Sequence, residues 1–322
     1  MKKYLILFVL VNTIFHAKSY AQITPAKSGM YELTSKVSQP YDSTRNFLGT
    51  DVNQYIGQEL YVLPQSEDFR KYGYRDFVVD YKKTFPDDKT NLYKLYNKST
   101  KYEAVAGRYF KVLDVYKHPH ADQDYYLAGK FFLKLQAKDT KEILYYEYDP
   151  KYESTFPFLV MGYYEKMKKI NVGKNFILRG NNWWSTGKTI KDLDTGVAVD
   201  LSKGDTWKCI DFIVDEKYYT TEYLLENENK KHIPIRIQDI NNTKYVFEES
   251  KAAAYKNKYG AENWNKILEG VVKIGWDKEM CRLSWGEPKQ VHVILIKGKR
   301  NEQWVYEDEN LYFDNDHLAV IH

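Results

Sequence analysis

Two stretches of this chain repeat one another in order, and that repetition restricts the fold more than any other feature. Tyr55-Ile56-Gly57-Gln58-Glu59-Leu60-Tyr61-Val62-Leu63 matches Asn171-Val172-Gly173-Lys174-Asn175-Phe176-Ile177-Leu178-Arg179. Farther on, Gly107-Arg108-Tyr109-Phe110-Lys111-Val112-Leu113-Asp114 matches Gly204-Asp205-Thr206-Trp207-Lys208-Cys209-Ile210-Asp211. In each copy a pair of apolar runs follows, Phe131 to Tyr148 in the first and Tyr223 to Gln238 in the second. The shared order of Gly, aromatic, Lys, apolar, apolar, Asp predicts one supersecondary unit built twice. The spacing is not constant, because the first copy carries an insertion around Pro64 to Lys101.

Each copy reads as a series of short strands. In the second copy these are Phe176-Ile177-Leu178, Val197-Ala198-Val199, Trp207 to Val214, Tyr223-Leu224-Leu225 and Ile233 to Ile237, with turn residues between them. Strands this closely spaced leave no room for crossover helices, so the sheets are expected to be antiparallel. Such sheets commonly curl into small barrels that remove their edges. The expectation is therefore a mainly β chain with tandem small antiparallel β-barrels, which resemble SH3-like modules of secreted bacterial proteins. They would span residues 51–160 and 161–247; one larger sandwich built from both copies is the rival arrangement. Helices are expected over Gly162 to Lys169 and over Glu248 to Tyr259, the latter with three consecutive alanines.

Residues 248–322 predict an α+β domain. Gly270 C-caps a helical stretch ending in Ile267-Leu268, and Asp277 N-caps a helix from Lys278 to Trp285 that Gly286 and Pro288 end. Strands follow at Val291 to Ile296, Glu302 to Tyr306, Leu311 to Phe313 and Leu318 to Ile321, giving helix, helix, β-meander. The residues Gly270-Val271-Val272-Lys273-Ile274-Gly275-Trp276-Asp277-Lys278-Glu279, Trp285-Gly286-Glu287-Pro288, Gln303-Trp304-Val305-Tyr306 and Leu311-Tyr312-Phe313-Asp314-Asn315 resemble the SmpA/OmlA family. That family's fold belongs to a small lipoprotein of the bacterial outer-membrane assembly machinery. The resemblance implies an envelope-associated interaction domain and no chemistry.

The N-terminus has the three parts of a secretory signal peptide: Lys2 and Lys3, an apolar run from Tyr4 to Phe15, and small residues at Ser19 and Ala21. The apolar run is shorter than the about 20 residues that span a bilayer. Cleavage after Ala21 is expected, leaving a leader segment over 22–50 and an exported protein, periplasmic or extracellular. No Cys follows the apolar run to take a lipid. Cleavage removes Lys2, Lys3 and Lys18 and no acid, so 48 basic residues become 45 against 44 acidic ones. A nearly neutral surface offers no footprint for nucleic acid or for insertion into an anionic membrane.

No nucleophile elbow, zinc-protease helix, phosphate loop or dinucleotide fingerprint occurs, and the chain reads as non-catalytic with no cofactor; the alternative is an enzyme whose unrecognised site assembles from residues far apart in sequence. Cys209 and Cys281 fall at apolar positions and read as buried thiols. His118, His120, Asp122 and Asp124 have metal-ligand types at alternating positions, but the segment reads first as a solvated turn that the second copy lacks. Asn181-Asn182-Trp183-Trp184 is the ligand-binding candidate, since adjacent residues of an extended segment face opposite ways and one indole would be exposed. The partner expected is another envelope protein, or cell-wall glycan stacked on Trp183 or Trp184.

Overall fold

The structure, a computed structural model, describes residues 41–83, 89–180, 190–215, 220–296 and 299–322. The first module contains strands β1 (Glu59–Val62), β2 (Phe77–Val78), β3 (Leu95–Tyr96), β4 (Ser99–Thr100), β5 (Tyr109–Lys117), β6 (Phe131–Ala137), β7 (Ile143–Tyr148) and β8 (Phe158–Val160), with one-turn helices α1 (Glu67–Arg70) and α2 (Tyr102–Val105). Helix α3 (Met161–Asn171) leads into the second, made of β9 (Asn175–Leu178), β10 (Thr206–Val214), β11 (Thr221–Glu226), β12 (His232–Arg236), α4 (Ile237–Ile240) and β13 (Val246–Glu248). The C-terminal unit is α5 (Glu249–Glu269), α6 (Lys278–Trp285) and strands β14 (Gln290–Ile296), β15 (Lys299–Val305), β16 (Asn310–Asp314) and β17 (His317–Ile321).

The main sheets are antiparallel. The first runs β2-β7-β6-β5-β1-β8 and the second β12-β11-β10-β9-β13. From the β8 and β13 ends, the strands that carry the sequence match stand in the same positions. The local geometry matches too. Gly57 and Gly173, with φ of 86° and 93°, start the two units. Each donates its N–H to the carbonyl of the strand opposite, Val112 or Cys209, at 2.8 Å. A non-glycine residue there would meet the steric penalty of positive φ. One residue later the register slips in both sheets, between Val112 and Asp114 and between Cys209 and Asp211. The Asp that follows each slip accepts the next backbone N–H, Val115 at 2.9 Å and Phe212 at 2.8 Å. The extra residue at each bulge bends a nine-residue strand.

The expected barrels do not close. Among the described residues β2 and β8 end the first sheet, and β12 and β13 end the second, without pairing across. Other groups occupy three of these four edges. Asn46 acts as a one-residue strand against β8: its Nδ2 donates to Phe158 O at 2.8 Å, and its Oδ1 accepts from Val160 N at 2.8 Å. Residues 91–93 cover β2, and Asp192 and Leu193 cover β12. Residues 41–50, assigned to the leader by sequence, thus belong to the first module; Leu48 is buried and Phe47 packs on Tyr148. The strand expected at Val197–Val199 is reduced to one bridge between Lys191 and Ala198.

One continuous apolar cluster runs from Leu48 to Val246 through both modules. Helix α3 joins them: it contacts β1 and β8 of one sheet and β10 of the other. Tyr164 packs on Phe212, and Tyr223 donates to Met167 O at 3.0 Å. The C-terminal unit has its own cluster, with Trp264, Trp276, Cys281, Trp304 and Phe313 between the helices and one face of the sheet β14-β15-β16-β17. Its caps are those expected. Gly270 is left-handed at the end of α5, and Asp277 accepts Met280 N at 2.7 Å at the start of α6. Gly260, with φ 79° and ψ 160°, breaks α5 in its middle. Among the described residues no helix is long and apolar enough to cross a membrane.

Candidate functional site

The four metal-type residues of the first module do not converge. His118 is buried and stacked on Phe132, with ring centroids 5.2 Å apart. Its Nδ1 accepts His120 N at 3.2 Å, so the proton sits on Nε2, which points at Glu147 from 3.9 Å and has no lone pair for a metal. His120 contacts Gln123 at 3.1 Å, Asp122 pairs with Lys117 at 2.6 Å, and Asp124 accepts Tyr126 N at 2.8 Å. Among the described residues no three His, Cys, Asp or Glu side chains could hold a metal together. Asn181, Asn182, Trp183 and Trp184 lie outside the described residues. Cys209 and Cys281 are free, each buried in a different core, and burial pushes both thiols up to about 12. They pack as apolar residues.

A groove of about 860 Å³ lies where the C-terminal unit meets the turn Asn241–Lys244 of the second module. Its floor is aromatic: Tyr255 of α5, Trp285 at the end of α6 and Tyr306 at the end of β15. Two of these rings are locked by main-chain oxygens. Trp285 Nε1 donates to Gly270 O at 2.7 Å and Tyr306 Oη to Gly286 O at 3.0 Å, holding the rings edge to face at 5.3 Å. Burial pushes the Tyr306 phenol well above its usual range, so it stays protonated. Gly286 makes the arrangement possible, because its φ of 81° with ψ −167° is open essentially to glycine alone.

Charge lines the rim. Arg282 bonds Glu287 at 3.0 Å and Lys289 bonds Glu307 at 3.0 Å; Glu279 accepts from both Lys258 and Tyr259. The lysine partners hold the Glu279 and Glu307 carboxyls below their usual range. Asp308 and Glu309 are exposed at the rim with no side-chain partner among the described residues. Paired charges cancel, leaving the Asp308 and Glu309 carboxylates and the Lys244 ammonium around an aromatic floor.

No family model, curated protein or solved structure matches this chain. The groove therefore has to be interpreted from its own chemistry. Aromatic faces and free carboxylates attract a cation carried on an apolar or extended stem. Glu279 and Glu307 are held ionised by their lysine partners, which suits charge recognition. Sequence reasoning missed this site because its walls come from α4–β13, α5, α6 and the β15–β16 turn. The signal was the acidic run Glu307-Asp308-Glu309 directly after Trp304-Val305-Tyr306.

A second charged constellation lies at the start of β12. His232 Nδ1 stands 2.5 Å from Asp194 and Nε2 3.0 Å from Glu226. Partial burial draws the imidazole pKa down, but the two carboxylates outweigh burial and raise it above 6.5. A raised native pKa contributes stability that is complete below the unfolded value and is lost as pH rises through the native value. The expected result is roughly 1 kcal/mol of stability lost above pH 6.5 and absent in His232→Gln. Histidine proton shifts followed by NMR check this; a His232 midpoint at or below 6.5 would refute it.

Proposed function

We propose that the chain is an exported cell-envelope interaction protein that holds a basic, extended segment of another protein in the groove of the C-terminal unit. The observation that carries this is the floor of Tyr255 and the locked Trp285 and Tyr306 beneath Asp308 and Glu309, which have no side-chain partner among the described residues. A cationic side chain would lie over the rings while its charge meets the carboxylates. The volume suits a few side chains and not a folded domain. The order helix, helix, four-stranded meander supports an SmpA/OmlA-like origin for this unit. The order of five corresponding strands in the two modules, each with a helical turn before its last strand, supports SH3-like relatives.

The test is a display library of short peptides screened against protein recovered from cells, whose first residue, expected at Gln22, checks the export half. Enriched peptides should be basic with apolar or aromatic residues, and binding should fall as salt rises. Asp308→Lys with Glu309→Lys should weaken those peptides about tenfold while leaving the melting temperature unchanged, since both side chains are exposed. Enrichment of acidic or uncharged peptides, or affinity that survives the double reversal, would rule the proposal out.

A further inference from the structure

Residues on both sides of the Gly260 break in α5 line a second cleft, of about 340 Å³, against the second module. The limb before the break contributes Glu249, Ala252, Ala253 and Lys256, spaced i, i+3, i+4 and i+7 and so on one face of the helix. Trp264, Asn265 and Leu268 come from the limb after it, and Ile177 of β9 with the Lys203-Gly204 turn from the module. The alanines, which by sequence are only good helix formers, have a spatial role here. Side chains that end at Cβ leave the space between the two limbs unfilled.

The polar groups around this cleft are unevenly engaged. Glu249 is the one carboxylate in its lining, and Asn175 Nδ2 donates to it at 2.8 Å. Lys203 Nζ is bonded to Glu269 at 2.5 Å. Lys256 and Asn265 are exposed and have no side-chain partner among the described residues. Trp264 is 5% exposed, and its indole N–H has no hydrogen-bond partner among the described residues. A buried N–H left unpaired costs free energy. Of the three unused groups, the Lys256 ammonium and the Trp264 N–H can only donate, and Asn265 can do either. One engaged carboxylate, with no His or Cys beside it, is no ligand set for a metal ion.

We propose that this cleft binds a small monocarboxylate with an apolar body, of about ten heavy atoms. The body lies against Ile177, Ala252, Ala253 and Leu268, and the carboxylate accepts from Lys256 and from the Trp264 N–H. Charge selects this occupant. An alkylammonium would set its cation against Lys256 and offer the indole N–H no acceptor. A neutral alcohol would leave the ammonium without a counter-charge. A ligand of this size should bind with a dissociation constant of roughly 0.1–1 mM.

Octanoate, titrated into the full chain, tests this by calorimetry and by NMR of the indole N–H signals, with Trp264→Phe assigning the relevant one. Saturable binding that shifts the Trp264 signal is expected, with 1-octanol and octylamine about tenfold weaker or worse. Lys256→Glu should weaken octanoate about tenfold, and Ala253→Leu should fill the cleft and abolish binding. Both side chains are exposed, so both variants should keep the parent melting temperature, and calorimetry reads them without the Trp264 assignment. No saturable binding up to roughly 10 mM, equal affinity for octanol or octylamine, or indifference to either variant would overturn the proposal. None of these residues is altered in the test of the peptide groove, so the two ideas stand or fall apart.

Discussion

Replacing Arg179 by alanine is expected to destabilise the folded chain by about 3–5 kcal/mol. The side chain is 2% exposed and joins three segments of the molecule. Its guanidinium donates to Thr243 O at 3.0 Å, Leu268 O at 3.3 Å, Leu283 O at 3.2 Å and Ser284 O at 2.8 Å, and also to Ile267 O. Four of these oxygens belong to the last turns of α5 and α6, where carbonyls lack intrahelical partners and the negative ends of two helix dipoles converge. Burial pulls the guanidinium down to about 9, still above neutrality, so it remains charged. Alanine would remove the side-chain donor from the Thr243, Leu268, Leu283 and Ser284 carbonyls, while Ile267 O keeps the Gly270 N–H at 3.0 Å. Lysine would restore the charge but not the fork of donors, and should recover only part of the loss. Denaturant unfolding followed at the aromatic near-ultraviolet bands measures both. An alanine variant within about 1 kcal/mol of the parent would show that solvent replaces the guanidinium at no cost.

The second large effect is expected at Trp304. Trp304→Ala should cost about 3–5 kcal/mol, through a cavity at the centre of the C-terminal core. The ring is fully buried, lies 4.5 Å from the Phe313 ring centroid and has the Arg282 guanidinium 4.2 Å above it. Its Nε1 donates to Glu302 at 2.8 Å, while Lys278 at 3.1 Å and Arg300 at 2.9 Å hold the other oxygen of that buried carboxylate. Trp304→Phe keeps most of the packing and removes one bond to Glu302, so it should cost about 1–3 kcal/mol. Melting curves of the two variants separate the contributions. Equal losses would mean that the hydrogen bond, and not the volume, carries the effect.

The local chemistry of this fold was legible and its long-range closure was not. Asp277 and Gly270 cap helices as their positions imply, because capping depends on residues within a few positions of each other. The strands of the meander and the matched Gly and Asp of the two modules were visible for the same reason. Barrel closure depends on whether two remote strands meet. Here Asn46, in a segment that reads as loose polar leader, takes the place of a strand, and nothing in its sequence neighbourhood announces that amide pairing. The groove was hidden because Lys244, Tyr255, Trp285 and Asp308 come together only through packing. The exposure of β14 was hidden too: an uninterrupted apolar run normally reads as a buried strand. Tyr125 and Tyr126, each 82% exposed, likewise defeat the rule that aromatic pairs fill cores.

The matching bulges in β5 and β10 bear on how the chain reaches its native state. Two sheets that share five strands in the same order and the same slip offer one another compatible backbones, and β9 has two strands of suitable shape to pair with. Exchange of equivalent strands between neighbouring units is a common failure of tandem architectures. The side chains discriminate where the backbones do not. Leu63 in the first copy is matched by Arg179 in the second. A chain that docked β9 into the first sheet would place a guanidinium where that unit accommodates leucine, far from the helix ends that accept it. That mispairing is penalised before α5 and α6 exist, and the correct one is rewarded once they form. The arginine thus ties the β9 match to the ends of α5 and α6, and its burial is compensated only where those helix ends are in place.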